Sequence, residues 1–355
     1  MKILYAIQGT GNGHLTRAIE LIPAFKALPG VEVDILISGT EHDLKFPFEV
    51  KYRFKGLSFV FSQSGGIDLL KTFKSLNSRR LIKDISTLPA NEYDLVINDF
   101  EPISCRAAIL HNVPCIGLSN QAATLHPLAP KPELNDLTGK LILNHYAPCH
   151  AQIGFHFKRL TNEIFTPVIR QVVRNHPIYD NGHFTVYLPA YSDQKIFRAL
   201  EMLPEYQFQI FSKHSKSPYR HRHMEVFPLN SETFLKSMAS SSGVICNAGF
   251  GTTSEALFLG KKLLVIPMKN QIEQHCNAAM LKSMGVDVLK SLKPRHVFAL
   301  QNWVINGRPV PVQFPDNTTM VVNAVMQLYK TIQPEFGVKN YVELKALKEP
   351  ESELV

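Results

Sequence analysis

Cys246-Asn247-Ala248-Gly249-Phe250-Gly251-Thr252-Thr253-Ser254-Glu255-Ala256-Leu257-Phe258-Leu259-Gly260 joins a short apolar strand, residues 243–246, to a helix through a loop of small residues. A second apolar strand, Leu263 to Pro267, leads into a polar stretch that carries Glu273-Gln274-His275-Cys276-Asn277-Ala278. Small side chains at Gly249 to Ser254 leave the free N–H groups of a helix start open, and those groups, with the helix dipole, favour a phosphate. A plain tight strand-to-helix corner would use the same glycines. Glu255, just after the loop, and Glu273-Gln274, after the next strand, favour the phosphate reading. They set acceptors for sugar hydroxyls beside an anion cradle on adjacent strand ends. The donor-side candidates are Asn247, Gly249, Phe250, Gly251, Thr252, Thr253, Glu255, Glu273 and Gln274.

Outward from this segment the chain alternates apolar strands with helical stretches. Strands are expected at Ile3 to Ile7, Val31 to Ser38, Phe54 to Phe61, Leu95 to Asn98 and Cys115 to Ser119. Helices are expected at Leu15 to Leu28, Phe73 to Leu88 and Ile103 to His111, and two longer ones at Tyr146 to Leu160 and Phe165 to Asn175. After Pro177 to Gly182, read as a hinge, a second set of βα units begins at Phe184, and Thr318 to Ile332 reads as a late helix. Continuous apolar strands between helices imply an α/β protein with parallel sheets covered on both faces. The expected divisions are residues 1–176, 183–316, a helix at 317–335 and a charged tail at 336–355.

The 355 residues are 45% hydrophobic, enough for two cores, and the net charge of +8 suits anionic partners. Lys51 to Lys83 concentrates the basic residues among phenylalanines and leucines; it fits an anionic membrane surface or a solvated face over a local core. Five cysteines without a Cys-x-x-Cys spacing read as reduced thiols in a cytoplasmic protein, peripheral to the inner face of a membrane if it meets one. No run approaches the ~20 apolar residues of a membrane span. No metal site, no cofactor and no nucleic-acid partner is expected.

A second constellation, Gln8-Gly9-Thr10-Gly11-Asn12-Gly13-His14, follows the first strand. Its third glycine comes one position early for a dinucleotide fingerprint, and no acidic residue closes the second strand. No Gly-Lys-Ser/Thr follows either, so the phosphate loop of nucleoside triphosphatases is absent. A Gly-rich turn that admits a ligand to the backbone remains, with His14 projecting from the helix start. Asp99 ends a parallel strand whose C-terminus shares an edge with this loop, so the two side chains are placed to meet. Asp99 also suits the N-cap of the helix that follows. Gly11, Gly13, Asn120 and Gln121 are the acceptor-side candidates on the same edge.

The segment from Gly249 to Ala278 resembles the donor-binding signature of GT-B glycosyltransferases. It is similar to the lipid-II-forming N-acetylglucosamine transferases (family 28-like) and to UDP-glucuronosyl and plant UDP-glucosyl transferases. The matching residues are Gly249, Ser254-Glu255-Ala256, Gly260, Pro267 and Glu273-Gln274-His275-Cys276-Asn277-Ala278. The chain departs from the pattern with Lys262 where many members have Pro, and with Asn247-Ala248-Gly249 where many have His-Gly-Gly. Together with Gly11, Gly13 and His14, these motifs look like a bacterial and archaeal branch of such transferases.

The resemblance implies two facing Rossmann-like domains with a cleft between them. It further implies a nucleotide-sugar donor, expected to be a UDP-sugar, and inverting, metal-independent transfer to an acceptor hydroxyl. His14 would be the base, with Asp99 behind it, and the late helix would cross back to the first domain. The acceptor stays open among a lipid-linked or cell-envelope glycan, a polysaccharide and a small molecule. A UDP-sugar 2-epimerase and a non-catalytic nucleotide-sugar-binding protein share the fold and are the alternatives.

Overall fold

The computed structural model describes residues 1–39, 46–56, 61–62, 66–67, 78–124, 126–132 and 136–336. The first half runs β1 (Lys2–Gln8), α1 (Asn12–Lys26), β2 (Glu32–Ser38), β3 (Tyr52–Phe54), β4 (Phe61–Ser62), β5 (Gly66–Ile67), α2 (Ser78–Thr87), β6 (Leu95–Asp99) and α3 (Pro102–Leu110). It continues with β7 (Cys115–Ser119), α4 (Gln121–Thr124), α5 (Leu137–His145), β8 (Ala151–Phe155), β9 (Ile164–Phe165) and α6 (Gln171–Arg174). The second half begins β10 (His183–Tyr187), α7 (Asp193–Leu200), β11 (Gln207–Ser212), β12 (Tyr219–His221), β13 (Met224–Pro228) and α8 (Ser231–Ser240). It ends β14 (Gly243–Cys246), α9 (Phe250–Phe258), β15 (Lys262–Val265), α10 (Ile272–Ser283), β16 (Asp287–Val288), α11 (Val297–Asn306) and α12 (Thr318–Phe336).

These elements build two seven-stranded sheets, ordered β3-β2-β1-β6-β7-β8-β9 and β12-β13-β11-β10-β14-β15-β16. Every pairing in the first sheet is parallel, and in the second only β12 against β13 is antiparallel. Helices cover both faces, which is why Ile3 to Ile7 and Gly243 to Cys246 are buried at every position and do not alternate. Among the parallel strands of each sheet the order reverses once, between β1 and β6 and between β10 and β14. A crevice outside the strand C-termini opens at such a point.

Two stretches read as helices are not. Tyr146 to Leu160 is mostly β8 and its approach, and Phe165 to Asn175 holds the end of β9 and only the single turn α6. Ile153, Phe155 and Phe157 recur at every second residue and are all buried, the period of a strand. Gly154 presses on Ala123 so closely that a Cβ there would lie 3.0 Å from the Ala123 Cβ. The strand read at Phe54 to Phe61 stops at Phe54, where Gly56 turns the chain with φ 61°. Leu57 to Val60 and Phe73 to Asn77 lie outside the described residues, as do most of the basic segment Lys51 to Lys83 and the tail after Phe336.

The chain passes between the sheets twice, and the two crossings are tied together. Arg174 donates to the carbonyls of Phe314 and Pro315 at 2.9 Å each, and Asn317 donates to the Thr166 carbonyl at 2.8 Å. α12 then returns to pack on α1 and β8 and buries Val321, Val322 and Val325. No helix among the described residues is long and apolar enough to cross a membrane.

Candidate active site

The two crevices face each other. In the first, Gly11 turns the chain with φ 87° and stands at the N-cap of α1, so His14 projects from the first helical turn. The His14 Nδ1 lies 2.6 Å from Asp99 Oδ1 at the end of β6. An ionised carboxylate only accepts, so Nδ1 carries the proton and Nε2 keeps the basic lone pair. Asp99 is fully buried and also receives Arg17, whose Nε lies 2.9 Å from Oδ2 and whose Nη2 lies 2.5 Å from Oδ1. Burial alone would raise the Asp99 carboxyl, but Arg17 and then His14 hold it below its ordinary value. For Arg17, burial works against the charge, and Asp99 overcomes it and raises the guanidinium further. Arg17 was not among the expected site residues. Its spacing of three from His14, on the same face of α1, was the available signal.

Asp99 does not cap α3. Glu101 does, accepting from the Ile103 and Ser104 amides at 2.9 and 2.6 Å. Phe100 between them adopts φ 55°, a conformation that costs a bulky residue about 1–3 kcal/mol. The twist lets Asp99 reach His14 while Glu101 turns to the helix. It also leaves the Phe100 ring parallel to the His14 ring, 6.5 Å away, and stacked on Tyr146 at 4.8 Å.

In the second crevice, Gly249 is the N-cap of α9 and no side chain caps the helix. Gly249, Phe250, Gly251 and Thr252 line a cavity of about 250 Å³ together with Gly13, His14 and Arg17 from the first half. A Cβ on Gly251 would stand 3.6 Å from the Gly13 Cα, an ordinary contact distance, so the two helix starts come close to touching there. Tyr187, Leu229 and Phe234 line the same cavity. They were not expected there, although Tyr187 ends β10 at the point where the strand order reverses.

Four expected site residues sit differently from the sequence reading. The Thr253 hydroxyl does not face the cavity; it donates back to the Gly249 carbonyl at 2.7 Å, leaving Thr252 on the wall. Asn247 is buried and donates to the Ile266 carbonyl at 2.7 Å. The Gln274 amide oxygen, also buried, accepts from the Met268 backbone at 2.9 Å. These two amides brace the loops between strands, a task that only buried partners reveal. Gly11 shapes the first turn but is not on the cavity wall.

Both expected carboxylates are on the wall, and both reach across the cleft. Glu255 forms a two-pronged pair with Arg170, at 2.6 Å from Nε and 2.8 Å from Nη2. Burial opposes the Arg170 charge, and Glu255 restores it and raises the guanidinium above its ordinary value. Glu273 accepts from Asn120 at 2.9 Å and from Gln121 at 3.0 Å. Arg170 carried no sequence signal, because it lies 85 residues from Glu255 in a stretch that reads as helix. Beyond His14 and Glu273 a second cavity of about 120 Å³ opens, walled by Phe100, Gln121, Ile142, Leu143 and Ile272.

Two Rossmann-like sheets with their switch points facing across one cleft define the GT-B class of nucleotide-sugar-binding folds. Residues 1–303 match the family model of glycosyl transferase family 1, and the chain belongs to that family. An uncharacterized glycosyltransferase of Methanosarcina mazei is 24% identical over 328 residues, covering 80% of this chain and 84% of that protein. Among solved structures, S. aureus MnaA with UDP superposes with a TM-score of 0.62 at 12% identity, over 94% of this chain and 98% of that one. Acinetobacter baumannii MurG gives 0.53 at 13% identity, over 93% and 99%. Family membership implies a nucleotide-sugar donor.

Proposed function

We propose that this glycosyltransferase moves a sugar from a UDP-sugar to an acceptor hydroxyl by a single, inverting, metal-independent displacement. Residues 183–316 would hold the donor and residues 1–176 the acceptor, with the helix at 317–335 tying the first lobe to the second. The donor diphosphate rests on the start of α9, where backbone amides from Phe250 to Thr252 and the Thr252 hydroxyl meet its charge. Glu255, fixed by Arg170, accepts from the ribose hydroxyls, and Glu273 from the sugar. The nucleobase lies toward Tyr187, Leu229 and Phe234, the apolar end of the cavity. His14 Nε2 takes the proton of the acceptor hydroxyl as the bond from the anomeric carbon to the diphosphate oxygen breaks. Asp99 holds the Nδ1 proton and stabilises the imidazolium that forms.

One observation carries this reading: His14 and the uncapped start of α9 line the same cavity from opposite lobes. The test is release of UDP from UDP-sugars with and without acceptor alcohols, with product stereochemistry read by NMR. His14→Ala should lower turnover about 100-fold or more while the protein still binds UDP in calorimetry. Turnover near the wild-type rate would remove His14 as the base. A changed sugar without acceptor would replace transfer by epimerisation.

A further inference from the structure

We propose that Cys115 and Cys149 are a dithiol pair that hydrogen peroxide converts reversibly into a disulfide, with Cys149 oxidised first and Cys115 closing the bond. All five cysteines are free. The Cys115 thiol donates to the Cys149 sulfur at 3.5 Å. A disulfide spans about 2.05 Å, so the two sulfurs must close by about 1.5 Å. The backbone assigns that movement to one of them. Cys115 starts β7; its carbonyl accepts from the His150 amide at 2.9 Å, and its own amide donates to His150 Nδ1 at 3.0 Å. Cys149 lies in the connection between α5 and β8, outside both elements, and is the partner that can move.

Access sets the order of reaction. Cys115 is fully buried, and its hydrogen bond to Cys149, then burial, raise its thiol well above the ordinary value. Cys149 is half-buried and lines a third cavity of about 80 Å³, whose wall also carries Asn98, Ser119, Gln121, Asn144 and Gln152. The Cys149 sulfur sits over Gly117 on that wall, where a Cβ would stand 3.4 Å from it. A water molecule takes about 30 Å³ of liquid, so this polar space is on the scale of hydrogen peroxide. Cys105, by contrast, is buried and donates to the Pro102 carbonyl at 3.5 Å. The thiolate is the reactive form, and the S–H of Cys115 stabilises it on Cys149. When it attacks peroxide the O–O bond breaks; one oxygen joins Cys149 as a sulfenic acid and the other leaves as water. Cys115 then attacks the Cys149 sulfur, the S–O bond breaks, the S–S bond forms and a second water leaves. The two thiols together supply the two electrons that reduce the peroxide. The closed bond ties to β7 the connection that carries Tyr146, the stacking partner of Phe100.

The experiment treats the reduced full-length protein with hydrogen peroxide, blocks the remaining thiols and maps the peptides by mass spectrometry. The expected result is a Cys115–Cys149 linked peptide that dithiothreitol reverses, with Cys149 losing its free thiol at least about 10-fold faster than Cys105 or Cys246. In Cys115→Ala the resolving thiol is gone, so dimedone should trap a sulfenic acid on Cys149. In Cys149→Ala, Cys115 should stay reduced. A Cys149 that is oxidised without linking to Cys115, or that links to another cysteine, overturns the proposal. So do equal rates of loss at Cys149 and Cys105, and a dimedone adduct on Cys115 in Cys149→Ala. The wild-type peptide map decides even where Cys115→Ala fails to fold, and none of these readouts depends on sugar transfer.

Discussion

Arg17→Met isolates what holds the His14–Asp99 pair in place. Arg17 is 5% exposed and Asp99 not at all, and two hydrogen bonds join them. Removing one partner of a buried ion pair leaves the other charge without compensation, which costs about 3–5 kcal/mol. For a cooperative unit of 150–250 residues that loss corresponds to a fall in Tm of about 6–20 °C. The chemistry suffers with the stability. With the guanidinium gone, burial becomes the dominant influence on Asp99 and drives its carboxyl upward, toward the protonated form. A protonated Asp99 no longer compels His14 to keep its proton on Nδ1, so Nε2 is no longer held as the base that we propose.

The assay is urea unfolding of the wild type, Arg17→Met, Asp99→Asn and the double variant, with turnover measured on each. In the double variant neither charge is left alone, so it should be destabilised by much less than the sum of the single changes. Strict additivity, or a loss below about 1 kcal/mol in Arg17→Met, would refute the argument that this pair is a coupled buried unit.

Three further outcomes follow from single contacts. Glu255→Gln removes the charge that Arg170 meets and should weaken UDP binding about 10-fold in calorimetry, whereas unchanged affinity would take Glu255 out of the donor site. Gly251→Val places γ-carbons against Gly13, since a Cβ alone already stands 3.6 Å from its Cα; UDP binding should be lost while the far-UV spectrum and melting cooperativity are kept. His156 is pushed down to about 4 from 6.5 by burial and then by His126, so the folded protein binds fewer protons than the unfolded chain between those values. Its stability contribution is therefore intact near pH 7 and falls by about 3 kcal/mol as pH drops to 4; His156→Leu should flatten that part of the stability–pH curve.

How much of this was legible in the sequence depends on the distance over which each residue acts. Runs such as Ile3 to Ile7 and Gly243 to Cys246 announce strands buried on both faces, and parallel strands must expose their C-terminal loops on one edge. That is enough to place His14 beside Asp99, although 85 residues separate them. The misreading of Tyr146 to Leu160 has a local cause. Apolar residues there satisfy periods of 2 and of 3.6 at once, and Pro148 and Gly154 were the signals against a helix. Arg170 had no local cause to find, because its partner Glu255 is fixed by the packing of one lobe on the other.

The neighbouring pairs Thr252/Thr253 and Glu273/Gln274 show where sequence resolution ends. Each pair sits in or beside the first turn of a helix, and adjacent positions there differ by about 100° around the axis. One member must therefore face the cleft and the other the interior, but the motif names both. Rotation of α9 turns Thr253 inward, where its hydroxyl finds the Gly249 carbonyl, and leaves Thr252 on the wall. Rotation of α10 sends Gln274 to the Met268 amide and Glu273 across the cleft to Asn120 and Gln121. The inward member holds the loop that the outward member needs in order to stay in position. Changing Gln274 should therefore weaken the site indirectly, by loosening the β15–α10 loop, and should lower melting temperature and activity together.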